Sequence, residues 1–203
     1  VLFNIFCDFF FIFFFIFFMN ANKRLGEQCY ARAPKISSEL FTLTYGAIVM
    51  QLIADYDTVE EVNVQLDKMG YNIGVRLIDE FLSQSRITKF SSLKETADLI
   101  AKVGFKMFLG VTANVGKWSA DEKEFSLTLD DNPFTDFVDL PEQYSGLLYS
   151  NMLCGVIRGA LEMVQMKVTC SFISDALRNG DNTTEIRVYF KEYLSEAQPI
   201  NDE

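Results

Sequence analysis

The sequence contains no histidine. That absence removes the Ser-His-Asp triad, the H-E-x-x-H zinc helix and every other site built on imidazole. Cysteine is sparse. Cys7, Cys29, Cys154 and Cys170 stand far apart with no C-x-x-C pair, so zinc-ribbon and thioredoxin readings fail. Scattered cysteines suit a reducing compartment, and Cys154 and Cys170, inside apolar periodic stretches, read as core thiols. Cations are the minority charge: Lys plus Arg total 18 against 28 for Asp plus Glu, a net charge of -10. This argues against nucleic acid as a partner, since phosphate binding needs clustered positive charge. A phosphate loop is lacking too, because Gly70, Gly74 and Gly155-x-x-x-Gly159 do not fit G-x-x-x-x-G-K-[ST] or follow a strand in a βαβ unit. Glycines four apart on one helix instead mark a close approach of two helices. Asp130-Asp131 and Asp136/Asp139 lack the calcium-loop register and read as turn chemistry, so no metal or cofactor is expected. No nucleophile, base and orienter come together, and the chain does not read as an enzyme.

What is present is apolar. Almost half of the 203 residues are hydrophobic, enough for a sizeable single-domain core. The first 18 residues hold half of the chain's 20 phenylalanines. Their length approaches that of a spanning helix, but phenylalanine is a poor helix former and no cationic start or cleavage site flanks them. Phenylalanine codons are all pyrimidine, so residues 1–18 read as translated non-coding sequence with Met19 as the start; a membrane anchor is the other reading. Residues 19–36 are polar and aperiodic, and read as a flexible arm.

From Leu40 to Tyr56, apolar residues at Leu40, Leu43, Ala47, Ile48 and Leu52 keep helical spacing behind Ser38 as N-cap. Thr58-x-x-Glu61 is a capping box opening a second helix through Val62, Leu66 and Met69. Gly70 ends or bends it, and Ile73, Leu77, Ile78 and Phe81 continue it. Ser92-x-x-Glu95 opens a third helix, closed by Gly110. Phe125, Leu127 and Leu129 alternate as in a half-buried strand; Phe134–Leu140 reads as a short extended stretch. Tyr144–Met166 reads as a long central helix. Val168, Cys170 and Phe172, then Ile186, Val188 and Phe190, form a hairpin around Asn179-Gly180-Asp181-Asn182. Without repeating βαβ units, this order predicts α+β with a mainly antiparallel sheet. Trp118, the only tryptophan, reads as core or interface, with interface favoured. Both faces of the early helices are apolar, which predicts a dimer interface over Ser38–Leu82 that includes Leu43, Ala47, Leu52, Tyr56, Leu66 and Ile73.

Several stretches resemble the subunit-3 branch of the transport protein particle (TRAPP) small subunits. They are Ser38–Ala47, Gln65–Ile78, Glu95–Asp98, Glu124–Leu127, and Tyr149–Asn151 continuing with Cys154–Met166. The resemblance runs from about Ser37 to the C-terminus, so the domain is placed at 37–194 with an acidic tail at 195–203. It implies helices packed on one side of an antiparallel sheet, and heterodimers or homodimers with other small subunits through the early helices. It also implies a scaffold role in a tethering complex, cytoplasmic and peripheral on cis-Golgi and endoplasmic reticulum membranes. The assembled complex would act as an exchange factor for an early-secretory Rab GTPase, and the tail residues Glu196, Asp202 and Glu203 would reach the nucleotide pocket. The branch carries an acylated cysteine five residues before its Glu-Thr-Ala-Asp stretch. Here that position is Phe90, which cannot form a thioester, so a covalent acyl chain is not expected. The alternative reading is a lipid-binding module with an internal acyl-chain channel.

Overall fold

The computed structural model describes residues 21–179 and 183–194. The Phe-rich stretch at 1–18, residues Gly180 to Asn182 of the hairpin turn, and the tail carrying Glu196, Asp202 and Glu203 lie outside them. Helix α1 covers 21–32, α2 Ser38–Asp55, α3 Val59–Ser85, α4 Leu93–Leu99, α5 Phe105–Leu109, α6 Met152–Met163 and α7 Ala176–Asn179. A π turn over Ile100–Gly104 joins α4 to α5 as one irregular helix. Strands β1 Asn114–Gly116, β2 Glu124–Leu129, β3 Met166–Ser174 and β4 Thr184–Tyr193 form one antiparallel sheet in the order β1-β2-β4-β3. The result is a single α+β domain with helices packed against a four-stranded antiparallel sheet, as the sequence predicts.

The helix starts follow local chemistry. The Thr58 hydroxyl accepts from the Glu61 amide at 3.3 Å, and the Glu61 carboxylate accepts from the Thr58 amide at 3.3 Å. Two orphan donors of α3 are thereby satisfied. Ser92 caps α4 through the Glu95 amide at 3.2 Å. Ser37, one residue before the expected cap, accepts from the Leu40 amide at 3.3 Å. Gly110 closes α5 at φ 77°, a conformation that favours glycine.

In the sheet, Phe125 lies opposite Val188 and Leu127 opposite Ile186, and all four are fully buried. Alternation along β3 buries Met166 and Val168 and leaves Lys167 and Thr169 outward. Helix α6 packs between this sheet and α3. It buries Met152 to Gly155, Ile157, Gly159 and Leu161, and leaves Val156, Arg158, Ala160 and Glu162 half-buried.

Backbone meets backbone where α3 crosses α6. A Cβ on Gly70 would overlap the Met152 carbonyl and one on Gly74 the Val156 carbonyl; on Gly155 and Gly159 it would overlap the carbonyls of Asp67 and Tyr71. The predicted close approach is therefore real, and α3 runs unbroken through Gly70. Arg158, the basic residue of α6, pairs with Asp67 and lies over the Tyr71 ring at 4.8 Å, so the polar edge of α6 is tied to α3.

Three expectations are corrected. The arm expected over 19–36 is helical at 21–32. It is seated because Gly26 lets α1 approach the Lys102 carbonyl of the π turn, with Cys29 buried and Asn22 bonded to Asp98 at 2.7 Å. Phe134–Leu140 forms turns rather than an extended segment, since Asn132 and Pro133 hold the chain in bonded bends. The long helix begins at Met152, not Tyr144, because Asn63 of α3 captures the Leu148 amide at 2.7 Å and the Gly146 carbonyl at 3.0 Å in non-helical backbone. Trp118, read as core or interface, is half-buried and stacks on Phe125 with ring centres 4.9 Å apart.

Gly155→Ala places a methyl group against the Asp67 carbonyl, where neither helix can yield cheaply. It is expected to cost about 3 kcal/mol, the upper end of overpacking penalties, measured by urea unfolding. A loss below 1 kcal/mol would mean that the helices can separate without consequence.

Candidate functional site

Beyond the glycine crossing, α3 and α6 bear large side chains, and the π-turn helix closes the space between them. The apolar cavity between them is partly open to solvent and has a volume of about 330 Å³. α3 contributes Ile73, Leu77, Ile78 and Phe81. The helix from α4 to α5 contributes Leu99, Ile100, Phe105 and Phe108, and α6 contributes Leu153, Ile157 and Leu161. Phe41 of α2 and Phe134 are also in its wall. They stack edge-on, with ring centres 5.0 Å apart.

Thr96 has the one polar side chain in this wall, and its hydroxyl donates to the Ser92 carbonyl at 2.9 Å. The cavity thus offers hydrocarbon and no free hydrogen-bonding group, a composition suited to an apolar ligand. Phe90, singled out in the sequence, also lines it. It lies half-buried on the loop between α3 and α4, and that loop starts where Arg86 turns into the left-handed region at φ 59° and ends α3.

None of the described cysteines is in the cavity wall. Burial raises the Cys29 thiol, which donates to the Gln84 carbonyl at 3.6 Å. Burial, then the nearby Cys170 and Asp67, push the Cys154 thiol well up, and burial pushes Cys170 up to about 12. These thiols are held neutral, as buried structural cysteines are.

The residues expected at a dimer interface separate into two groups. Leu43 is 67% exposed and Ala47 is exposed, while Leu52 and Tyr56 are half-buried. Leu66 is corrected: at 0% exposure it packs inside the domain and cannot reach a partner. Ile73, 40% exposed, edges the cavity. On α2, Leu40, Leu43, Ala47, Met50 and Ala54 form an outward stripe, opposite the inward face of Thr42, Tyr45 and Val49. The Tyr45 hydroxyl donates to the Tyr149 carbonyl, and burial first, then Tyr149 and Asp175, raise its pKa.

Among the described residues no group of three His, Cys, Asp or Glu side chains could hold a metal, and no helix is long and apolar enough to cross a membrane. Of the acidic candidates, Asp130 accepts from Asn114 at 3.1 Å. A polar cluster on the sheet is likewise committed, with Glu185 paired to Lys117 at 2.5 Å and to Arg187 at 3.1 Å. Sequence reasoning from the residues alone missed the cavity. Its one signal is an excess of apolar residues on α3 and α5 beyond what a single buried stripe requires.

Fold and site together define an α+β protein with an apolar cavity among its helices. A profile described as "Transport protein particle (TRAPP) component" matches residues 41–189. The chain is 59% identical over 178 residues to trafficking protein particle complex subunit 3 of Dictyostelium discoideum, across 87% of this chain and 95% of that protein. Against subunit BET3 of Saccharomyces cerevisiae the identity is 46% over 184 residues, across 89% and 95% of the two chains. The crystal structure of a subunit 3 from Naegleria fowleri, covalently bound to palmitic acid, matches with a TM-score of 0.75 at 53% identity, covering 78% of this chain and 98% of that one. The chain belongs to the TRAPP component family.

Residue-resolved maleimide labelling of the native protein at pH 8 should leave Cys29 and Cys154, each 1% exposed, unmodified until denaturant is added. Labelling of either in the native state, at the rate of a free thiol, would contradict their burial.

Proposed function

We propose that this chain is a scaffold subunit of a TRAPP vesicle-tethering complex. It acts on the cytoplasmic side of endoplasmic reticulum and cis-Golgi membranes as a peripheral component. Its role is to pair with other small subunits, and through the assembled complex to promote nucleotide exchange on an early-secretory Rab GTPase without bond-making of its own. The observation that carries the reading is α2. This helix is apolar on both faces, and only one of them is covered by its own domain. A stripe with Leu40 61%, Leu43 67% and Met50 69% exposed is the kind of surface that a stable partner covers. The names of the subunit-3 relatives agree with such a partner being another subunit of the complex.

A second reading accompanies the first without competing for the same surface. The apolar cavity and the palmitate on the Naegleria relative favour an acyl-chain channel in this protein as well. With Phe90 at the position where the branch carries its cysteine, the chain would be held by packing rather than by a thioester.

Leu43→Glu puts a charge in the outward stripe without touching the core. Loss of one interface anchor is worth about 2 kcal/mol, roughly a thirtyfold weaker Kd for a partner subunit. Isothermal titration with recombinant small subunits measures it, and circular dichroism checks that the fold is kept. Unchanged affinity for every small subunit would sink the α2 interface.

The acidic tail is tested separately. The last bond tying the sheet's end runs from the Leu194 amide to the Gln165 carbonyl at 2.8 Å. Deletion of Ser195–Glu203 should therefore leave assembly intact. If Glu196, Asp202 and Glu203 disturb the magnesium–phosphate site of the Rab, release of a fluorescent guanine nucleotide by the assembled complex should slow. Equal rates with intact and truncated subunit would reduce the tail to a solvated end.

A further inference from the structure

The cations of this chain are unevenly placed. All 18 Lys and Arg residues lie within 23–35, 68–123 and 158–191, so the stretches 36–67 and 124–157 hold none, and each carries six carboxylates. The fold packs these two stretches against each other. The Thr42 hydroxyl donates to the Pro133 carbonyl at 3.2 Å, the Phe134 ring stands edge-on to Phe41 and Tyr45, and the Asn63 side-chain amide donates to the Gly146 carbonyl. Of their carboxylates, only Asp67 and Glu124 enter ion pairs among the described residues, with Arg158 and Arg187.

The outward apolar stripe of α2 lies in the first stretch, and acid borders it. Glu39 stands at the start of α2, Asp55 at its end and Asp57 just beyond, and the last turn of the helix has no basic residue. A carboxylate at a helix C-terminus is the charge that the helix dipole disfavours, so Asp55 and Asp57 do not serve α2 itself. In the second stretch, the turn fastened to α2 through Pro133 exposes Asp136 and Asp139, and Glu142 follows, also exposed. Burial first, and then the neighbouring Asp131, raise the Asp136 carboxyl, so acids crowd here as well. Phe137 of the same turn is 81% exposed, with Asp136 and Asp139 close to it in sequence. An exposed ring beside carboxylates suits an arginine, whose plane stacks on the ring while its N–H groups pair with the acids.

We propose that the protein covering the α2 stripe carries lysine and arginine around its own apolar patch, with an arginine on Phe137, and that the acidic border disfavours a second copy of this chain as that partner. This rests on the α2 reading above and adds the chemistry of the partner. In a two-fold pair each copy meets the same patch on the other, so two copies joined through α2 would set acid against acid. A partner with a basic border meets complementary charge. Complementarity of this kind speeds encounter and rejects wrong partners more than it adds affinity. Exposed charges are screened beyond about 10 Å at 0.1 M salt, so salt should act with opposite sign on the two kinds of pair. It weakens acid against base and strengthens acid against acid.

Charge reversal tests this on the full 203-residue chain. A variant with Asp136→Lys, Asp139→Lys and Glu142→Lys, all exposed positions, is mixed with the wild-type chain. Sedimentation velocity follows association at about 0.03 M and about 0.5 M salt, and circular dichroism checks the fold. At low salt the mixed pair should be at least about tenfold tighter than the wild-type pair, and the margin should fall below about threefold at high salt. Wild-type self-association should tighten as salt rises, a readout that needs no variant. With recombinant small subunits, the association rate of the wild type should drop about tenfold over the same salt range. The lysine variant should lose that dependence, and Phe137→Ala should raise the dissociation rate. Self-association that weakens with salt, or that matches the mixed pair at low salt, makes a second copy the occupant and overturns the proposal. Leu43→Ala, which removes apolar surface without adding charge, keeps the two readings apart. If it weakens pairing while salt and charge reversal do not, the basic border falls and the α2 interface stands. If it changes no pairing, the α2 interface falls and the border with it.

Discussion

The contact of α3 with α6 through Gly70, Gly74, Gly155 and Gly159 fixes the positions of almost everything else. Packed helices usually sit 8–10 Å apart because side chains separate them. Here the separation is set by carbonyl oxygens lying where Cβ atoms would be. Helices pressed together along one stretch and bearing large side chains further on must diverge there. That divergence is where the channel lies, between Leu77 and Phe81 on one side and Ile157 and Leu161 on the other. Polar ties hold the near end shut. Asn63 bonds the Leu148 amide, Asn151 bonds the Asn63 carbonyl at 2.8 Å, and Arg158 pairs with Asp67. The glycines thus place a dry, rigid crossing at one end and leave the other to be closed by something else.

What closes it is an irregular helix. Across Ile100–Gly104 one extra residue is accommodated per turn, and the Phe105 amide bonds back to the Ile100 carbonyl. The Ala101 carbonyl is freed to accept from the Ala113 amide at 3.0 Å, which anchors the chain as it enters β1. The Lys102 ammonium caps the Ala113 carbonyl at 2.7 Å. The same turn receives α1 against Gly26 on its outer side and lines the channel with Ile100 and Gly104 on its inner side. Such turns often occur at functional positions in helices, and here one joins three parts of the molecule: the sheet, the first helix and the channel.

How much of this was legible depends on the range of the interaction. Capping by Thr58 with Glu61 and by Ser92 with Glu95, closure at Gly110, and the alternation of Phe125, Leu127 and Leu129 are set by residues within a few positions of one another, and were read directly. The pairing of Gly155 and Gly159 with another helix was also legible, because few other circumstances favour that spacing in an apolar helix. Helix α1 was hidden because its inward stripe consists of Asn22, Leu25, Gly26 and Cys29, of which only Leu25 looks like core. Strand β1 spans three residues and exists through its pairing with β2. The stretch from Tyr144 is apolar enough for a helix, and its departure from one is dictated by Asn63, more than eighty residues away. Leu66 and Leu43 are the same residue type on adjacent helices, yet one is sealed and the other open. Only the three-dimensional arrangement separates them. A void has no residue of its own, so apart from the excess of apolar residues on α3 and α5 the cavity could be expected only through the resemblance that drew attention to Phe90.

The channel and the outward stripe meet on α2. Phe41 faces the channel wall and stacks on Phe134, and Tyr45 stacks on Phe134 with ring centres 4.8 Å apart; between them in sequence, Leu43 faces solvent. α2 is held to its domain by this aromatic set, by buried Val49, by the Thr42 hydroxyl donating to the Pro133 carbonyl at 3.2 Å and by the Tyr45 hydroxyl on Tyr149. Edge-on ring contacts of this kind contribute about 0.5–1.5 kcal/mol each beyond burial, enough to seat the helix but modest beside the crossing of α3 and α6. A ligand reaching Phe41 and a partner reaching Leu43 would therefore act on the same lightly held element from opposite sides. Free-energy coupling between cavity occupancy and assembly has a route through α2, and another through Ile73 of α3, which edges the cavity and is 40% exposed; by either route it would be equal in both directions.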